Sequence, residues 1–310
     1  MASSLPEIPY FLADVFVIMH KVTSTPSILP ILLAGISFGC GADRAQQSIE
    51  TPLIRLRVAA ASDLQPWLGT AMRGWGNLRN PPVRIDTIYG SSHQLSAQIR
   101  TGVPVDLFLA ADQEAITSLA SQGRVDGSSV CPYAVGRIAV LSRKSLGIGT
   151  LDDLKQAPFR NLAIASPNTA PYGKAAKSAL IARDLWTDLE PKIVVTASVR
   201  QAFQSVVDGN AEVGIVSLGH ALTVASDSDL VTTEISQDLH APIVQYLGIV
   251  KSDPNEPTPL FEQKLRAIQE LIEWLAGPES EALFRTHALT RPNVNRPVME
   301  PEKSFRPTEH

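Results

Sequence analysis

Residues 54–64 read Ile-Arg-Leu-Arg-Val-Ala-Ala-Ala-Ser-Asp-Leu. Its first six residues, 54–59, alternate between apolar and charged and then become apolar, which predicts a β-strand. An amphipathic helix is expected from Asp63 to Trp75, with Ser62 as its N-cap. Two further strand–helix pairs follow in the next 60 residues. The predicted strands are 83–89 and 105–110, and the predicted helices are 93–101 and 112–122.

A second alternating region begins after residue 132. Its predicted strands are 138–141, 162–165, 193–195, 213–216 and 243–250, and its predicted helices are 172–185, 199–208 and 261–275. Alternation of strands and helices predicts an α/β fold in which mostly parallel sheets are flanked by helices. A length of 310 residues suggests about two domains.

Composition and charge exclude several classes of partner and site. The chain is 44% hydrophobic and 19% charged, and its net charge of −4 comes from 31 acidic and 27 basic residues without a basic stripe. This argues against nucleic-acid binding and requires any anion site to be built from local donors. The two cysteines, Cys40 and Cys131, are too few for a Cys/His metal cluster, and Cys131 is expected to be a small buried apolar residue.

The N-terminal region has the pattern of an export signal. A short basic start at Met19 is followed by an apolar run and then by Gly39 and Cys40, an order typical of a signal peptide. Residues 1–40 are therefore interpreted as an export segment whose natural start is Met19, with Cys40 as a candidate lipidation site. The alternative, an apolar helix of the fold, is disfavoured because Pro26 and Pro30 interrupt the pattern.

The remaining terminal segments are polar. Residues 41–52 are interpreted as a tether, and 290–310, rich in proline and charge, as a disordered tail. An export signal implies a periplasmic or other extracytoplasmic location. The membrane would then be contacted only through a lipid on Cys40.

Five strand-to-helix turns are candidates for a binding site, because ligands of open α/β sheets bind beyond the carboxyl ends of the strands. These turns combine small or hydroxyl residues with the unpaired N–H groups of a helix start, which together can hold an anion. Taken singly, each turn could equally be a helix cap or a solvated turn. The turns are Ala61-Ser62, Ser91-Ser92, Pro171-Tyr172-Gly173, Ser198-Val199 and Ser217.

A site that contains only hydrogen-bond donors favours a fully deprotonated dianion such as molybdate, tungstate or sulfate. A protonated phosphate would bring a donor of its own, and leaving that donor unpaired would cost about 1–3 kcal/mol. Asp63 is the nearest carboxylate, but on a helix it can point away from the cleft.

Several motifs together resemble the molybdate-binding proteins of ABC transporters. They are Val58-Ala-Ala-Ala-Ser-Asp-Leu64, Tyr89-Gly-Ser-Ser-His-Gln-Leu95, Gly102-Val-Pro-Val-Asp-Leu-Phe-Leu-Ala-Ala-Asp-Gln113, Ser166-Pro-Asn-Thr-Ala-Pro-Tyr-Gly-Lys-Ala-Ala176, Val199-Arg-Gln-Ala-Phe203 and Gly209-Asn-Ala-Glu-Val-Gly-Ile-Val216. The resemblance implies a two-lobed periplasmic binding protein fold of type II with the ligand between the lobes. It places lobe one at 53–132 plus 244–289 and lobe two at 133–243, with crossovers near Pro132-Tyr133 and within 243–250.

The resemblance also implies how the anion is held. Ser62 and Ser92 would supply hydroxyl and backbone N–H donors, and Tyr172 and Val199 would supply backbone N–H donors from lobe two. Ser217 stands where some members of the family have a tyrosine hydroxyl, so it could bind the anion directly, bind it through water, or take no part. The implied ligand is molybdate or tungstate, with no cofactor and no cation site. The implied partner is an ABC permease with its ATPase, and the receptor would be a monomer and not an enzyme.

Three alternatives remain open. The ligand could be another oxyanion such as sulfate, or the protein could be a sensor or scavenger that has no permease. A serine hydrolase with Ser62 or Ser92 as nucleophile would need a histidine base held by a third group. Only His93 and His220 lie near the turns, and the Gly-x-Ser-x-Gly elbow is missing from the sequence.

Overall fold

The structure is a computed structural model that describes residues 53–224, 229–251 and 257–292. The predicted export segment, the tether, Cys40 and residues 293–310 lie outside these ranges. Within these ranges, no helix is both long and apolar enough to cross a membrane.

The described strands form two five-stranded sheets. Sheet one has the order β2-β1-β3-β10-β4. Strands β1, β2 and β3 are parallel, β10 is antiparallel to β3, and β4 is antiparallel to β10, so four of the five strands point the same way. Its strands are β1 (Ile54–Ala61), β2 (Val83–Gly90), β3 (Leu107–Ala110), β4 (Cys131–Gly136) and β10 (Ile243–Ile249).

Sheet two repeats this arrangement in the order β7-β6-β8-β5-β9. Strands β6, β7 and β8 are parallel, and β5 runs antiparallel between β8 and β9. Each sheet with its helices is one lobe, so the predicted two-lobed α/β fold with mostly parallel sheets is confirmed. The strands of this sheet are β5 (Ile138–Arg143), β6 (Leu162–Ala165), β7 (Ile193–Thr196), β8 (Val213–Ser217) and β9 (Leu230–Glu234).

The helices connect the strands in the predicted manner. In lobe one they are α1 (Leu68–Asn77), α2 (Ser92–Arg100), α3 (Gln113–Ser121), α8 (Thr258–Ala276) and α9 (Glu281–Thr286). In lobe two they are α4 (Pro171–Ala182), α5 (Trp186–Leu189), α6 (Val199–Val207) and α7 (Leu218–Ala221). Side chains cap four of the helices that follow parallel strands: Ser91 caps α2, Asp112 caps α3, Ser198 caps α6 and Ser217 caps α7. These caps fix where each helix begins and therefore where its free N–H groups lie.

The chain passes between the sheets twice. It leaves sheet one at Arg137, between Gly136 and Ile138, and returns between Glu234 and Ile243. The first crossing lies a few residues beyond Pro132-Tyr133, because Cys131–Gly136 pairs with β10 as an edge strand. No strand was predicted there, since a proline interrupts the apolar pattern.

The C-terminal end of the described chain also differs from its prediction. Thr290 exchanges two backbone hydrogen bonds with Val135. Arg291 donates to the carbonyls of Leu275 (2.5 Å) and Gly277 (2.8 Å), and its guanidinium lies 4.2 Å from the Phe284 ring centre. These residues belong to the folded lobe and not to a tail, because the guanidinium satisfies carbonyls at the end of α8.

Candidate functional site

Ser62 lies directly after β1, but it is not the N-cap of an α-helix. Residues Ser62–Leu64 form a single 3-10 turn, and α1 begins only at Leu68. The predicted helix start at Asp63 is wrong because Pro66 has no N–H to donate to the Ser62 carbonyl, the first bond that such a helix would need. Ser62 is 4% exposed and stands at the carboxyl end of a central strand.

Ser92 is the first residue of α2. Its hydroxyl oxygen accepts a hydrogen bond from the N–H of Ala111 at 2.8 Å, while Ser91 caps the helix by accepting from the N–H of Gln94. The bond from Ala111 fixes the Ser92 oxygen and leaves the hydroxyl proton to be donated elsewhere. The Ser92 N–H, in the first turn of α2, has no intrahelical acceptor.

The two predicted donors of lobe two also lie at helix starts. Tyr172 follows Pro171 at the beginning of α4, and Val199 is the first residue of α6. Both residues are buried, and their N–H groups fall among the first of each helix, which have no intrahelical acceptor. Each helix start adds about half a positive charge to the donors.

Packing between the lobes brings these turns together. Helices α6 and α7 of lobe two contact the Ser62–Leu64 turn of lobe one. Ala61 and Ala111, at the ends of β1 and β3, belong to the apolar core that also contains Tyr172, Val199 and Leu218. The carboxyl ends of the parallel strands in both sheets therefore face the same interlobe space.

Ser217 is used differently from Ser92. Its oxygen caps α7 by accepting from the N–H of His220, and it lies 2.7 Å from Nδ1 of the same residue. The imidazole packs against Phe203, and burial, together with the charge of Arg200, lowers the pKa of His220 to about 3. No local pattern in the sequence predicted that Ser217 would be paired within its own turn.

A buried polar cluster behind the turns was not predicted. The Tyr172 hydroxyl donates to Asp63 Oδ2 at 2.8 Å, and Gln245 Nε2 donates to the same oxygen at 2.5 Å. The Tyr133 hydroxyl donates to Gln245 Oε1 at 2.7 Å. Asp63 lies in a 3-10 turn and not on an α-helix, and its carboxylate points toward lobe two, where it pairs with Tyr172. A glutamine within the apolar strand 243–250 was the available signal, since a buried amide needs partners.

Burial dominates the electrostatics of this cluster. It raises the pKa of Asp63 to about 6, although hydrogen bonds from Tyr172 and Gln245 favour the charged form. Asp63 Oδ1 is buried and has no partner among the described residues. The pKa of Tyr172 and that of Tyr133 are raised well above the ordinary value, first by burial and then by the charge of Asp63.

The histidines do not form a hydrolytic arrangement with the predicted nucleophiles. His93 Nδ1 lies 3.8 Å from Asp112 Oδ2, whereas the Ser92 oxygen is bonded to Ala111. His220 pairs with Ser217, and within the described residues its Nε2 has no acceptor to orient it. A pKa of about 3 also makes His220 a weak general base near neutral pH.

Comparisons with known proteins agree with this architecture. Residues 56–289 match the family model described as bacterial extracellular solute-binding protein. The molybdate-binding protein ModA of Azotobacter vinelandii is 32% identical over 208 residues, which cover 66% of this chain and 78% of that protein. A putative ABC transporter substrate-binding lipoprotein, YvgL of Bacillus subtilis, is 26% identical over 81% of this chain and 92% of its own.

The fold comparison gives the same result. The solved structure of the Azotobacter vinelandii periplasmic molybdate-binding protein aligns with a TM-score of 0.68 and 26% identity, covering 76% of this chain and 99% of that one. A sulfate-binding protein of Mycobacterium tuberculosis shares the fold at 16% identity and a TM-score of 0.60. The chain belongs to the bacterial extracellular solute-binding proteins.

Proposed function

We propose that the protein is an extracytoplasmic receptor that binds molybdate or tungstate between its lobes and delivers it to an ABC permease. The observation that carries this proposal is the convergence of Ser62, Ser92 and the starts of α4 and α6 on one interlobe space. The names of the relatives, molybdate-binding proteins from several bacteria, support the choice of ligand.

In this proposal lobe one supplies hydroxyls and lobe two supplies backbone N–H groups. Ser62 and Ser92 donate from lobe one, and Tyr172 and Val199 donate from lobe two. We assign Ser217 to the support of α7, because its oxygen accepts from the His220 N–H and lies 2.7 Å from His220 Nδ1. Neutral donors at helix starts stabilise a dianion without a counterion that would have to be desolvated.

The choice among oxyanions rests on whether the bound anion carries a proton. Molybdate, tungstate and sulfate accept hydrogen bonds only, whereas a protonated phosphate must also donate one. Asp63 Oδ2 already accepts hydrogen bonds from Tyr172 and Gln245, so a phosphate proton would have to be accepted by the buried Oδ1.

Native mass spectrometry tests binding with all candidates present. The purified protein is incubated with equal concentrations of molybdate, tungstate, sulfate and phosphate. One bound molybdate or tungstate per chain is expected, whereas a chain carrying sulfate would favour the alternative receptor. Delivery is tested separately by molybdate uptake in cells with and without the gene; equal uptake at low molybdate would favour a scavenger or sensor.

A further inference from the structure

Two hydrogen bonds of the buried cluster cross between the lobes: the Tyr172 hydroxyl donates to Asp63 Oδ2, and Gln245 Nε2 lies 3.2 Å from the same hydroxyl oxygen and donates to it. Asp63 belongs to the turn after β1 in lobe one, and Tyr172 belongs to the first turn of α4 in lobe two. Asp63 directly follows Ser62, and the N–H of Tyr172 is itself a proposed anion donor. Any movement that separates the Asp63 and Tyr172 side chains therefore also separates donors on opposite walls of the cleft.

The buried polar cluster lies next to Gly136, at the first crossover between the sheets. A Cβ atom added to Gly136 would lie 2.0 Å from the Tyr172 hydroxyl and 3.4 Å from Gln245 Nε2. Gly136 is the last residue of β4, immediately before the crossing at Arg137. The absence of a side chain at Gly136 thus allows the tyrosine of lobe two to reach the glutamine and aspartate of lobe one.

We propose that the Asp63–Tyr172 hydrogen bond is a latch that holds the lobes closed over the anion, with Gln245 positioning the Asp63 carboxylate from lobe one. Asp63 and Tyr172 act here through their side chains as positioning residues and not as ligands. The proposal rests on the proposed function, because closure matters only if an anion is held between the lobes. Breaking the latch should speed release of the anion more than it slows capture.

The latch predicts that closure is linked to a proton. With the lobes closed, burial raises the pKa of Asp63 to about 6. Opening would return the carboxyl to water and its pKa toward the ordinary value of 3.8. Asp63 has a higher pKa in the closed state than in the open state, so a proton on its carboxyl favours closure. This contribution to closure is greatest below the ordinary pKa of Asp63 and is lost as pH rises through about 6. A bound dianion should move this window upward, since like charge disfavours the carboxylate.

The other groups around the cluster limit what a pH profile can show by itself. The pKa values of Tyr172 and Tyr133 are raised well above the ordinary value, and Gln245 has no titratable group. On the helices that pack against the turn lie Arg200 and His220, and the pKa of His220 is about 3. His287 stacks on Trp67, its carbonyl lies against Gly219 of α7, and burial lowers its pKa from the ordinary value. A change in anion affinity near pH 6 is therefore assigned to Asp63 only if Asp63→Asn removes it.

A matched pair of variants tests the latch. Tyr172→Phe removes the hydroxyl that crosses the lobes and keeps the backbone N–H and the ring. Tyr133→Phe removes a similarly buried hydroxyl whose hydrogen bond stays within lobe one. Molybdate dissociation, followed by stopped-flow tryptophan fluorescence, should be about tenfold or more faster in Tyr172→Phe and nearly unchanged in Tyr133→Phe. Equal dissociation rates in Tyr172→Phe and wild type, or equal acceleration in both variants, would overturn the latch.

The proton linkage has its own test, which does not depend on a loss of stability. Between about pH 5 and pH 8, wild-type affinity for molybdate should fall as pH rises. The affinity of Asp63→Asn should depend less on pH, and the dependence that remains measures the titration of the anion itself. Parallel profiles would contradict the role of Asp63. A wild type that binds no oxyanion would refute the proposed function, whereas tight binding with unchanged Tyr172→Phe kinetics refutes the latch alone.

Discussion

Ser92 of lobe one and Ser217 of lobe two are similar serines that the structure uses in opposite ways. Each serine lies at the carboxyl end of a parallel strand, where a short helix or helix start follows. The Ser92 oxygen accepts from the N–H of Ala111, directly after β3, and the Ser92 hydroxyl proton remains available. The Ser217 oxygen instead caps α7 and lies against His220 Nδ1. A hydroxyl at a strand end is therefore a ligand donor only when its own turn leaves the proton free.

Replacement of Ser92 should have the largest effect on binding. Ser92→Ala removes the hydroxyl donor and should weaken molybdate binding by about 1–3 kcal/mol, measured by calorimetry. Ser96→Ala is the control: Ser96 lies one turn further along α2 and donates to the Ala115 carbonyl, so it should lower stability and leave affinity unchanged. If Ser92→Ala binds as tightly as wild type, Ser92 is not part of the site.

A backbone donor can be deleted in lobe two without breaking its helix. Val199→Pro removes one N–H at the first position of α6, where proline is well tolerated. Ser198 already has the extended conformation (φ −151°, ψ 161°) that precedes proline. We expect a loss of roughly tenfold in affinity, somewhat less than for Ser92, because no hydroxyl is lost.

Gln113→Pro provides the control for this change. It sits at the first position of α3 after Asp112, whose φ of −152° and ψ of 162° match those of Ser198. Gln113→Pro should leave the affinity for molybdate unchanged. An equal loss of affinity in both proline variants would mean that Val199 does not contact the anion through its N–H.

Replacement of Ser217 should have the smallest effect on binding and a clear effect on stability. Ser217→Ala removes the cap of α7 and the partner of His220, which should cost about 0.5–2 kcal/mol of unfolding free energy in chemical denaturation. Affinity should change by less than about threefold. A large loss of affinity with unchanged stability would return Ser217 to the anion site and remove the contrast with Ser92.

The sequence was sufficient for the fold and for the positions of the turns, because strand periodicity and helix caps are local signals. Strands β1, β2 and β8 and the start of α6 lie within a residue or two of their predicted bounds. Strands β4 and β9 were missed, because their mixed residues form strands only by pairing with β10 and β5. Nothing local marks a residue whose secondary structure is decided by a distant partner.

The side-chain partners in the site were the least predictable part. That Asp63 would meet Tyr172 and Gln245 depends on contacts more than 100 residues apart in sequence. A preference for neutral donors could be inferred from the turns, but the pairing of Ser217 with His220 required coordinates. Ser92 and Ser217 look alike in the sequence, and only their hydrogen-bond partners in the structure distinguish their roles.

Calorimetric titration of the purified protein with each of four anions tests the central claim most directly. Neutral donors that converge between the lobes should bind molybdate and tungstate tightly, and sulfate and phosphate much more weakly. Equally tight binding of sulfate would contradict the assignment to molybdate. Equally tight binding of phosphate would contradict the donor-only site and would indicate that Asp63 Oδ1, buried without a partner in the described chain, accepts the phosphate proton.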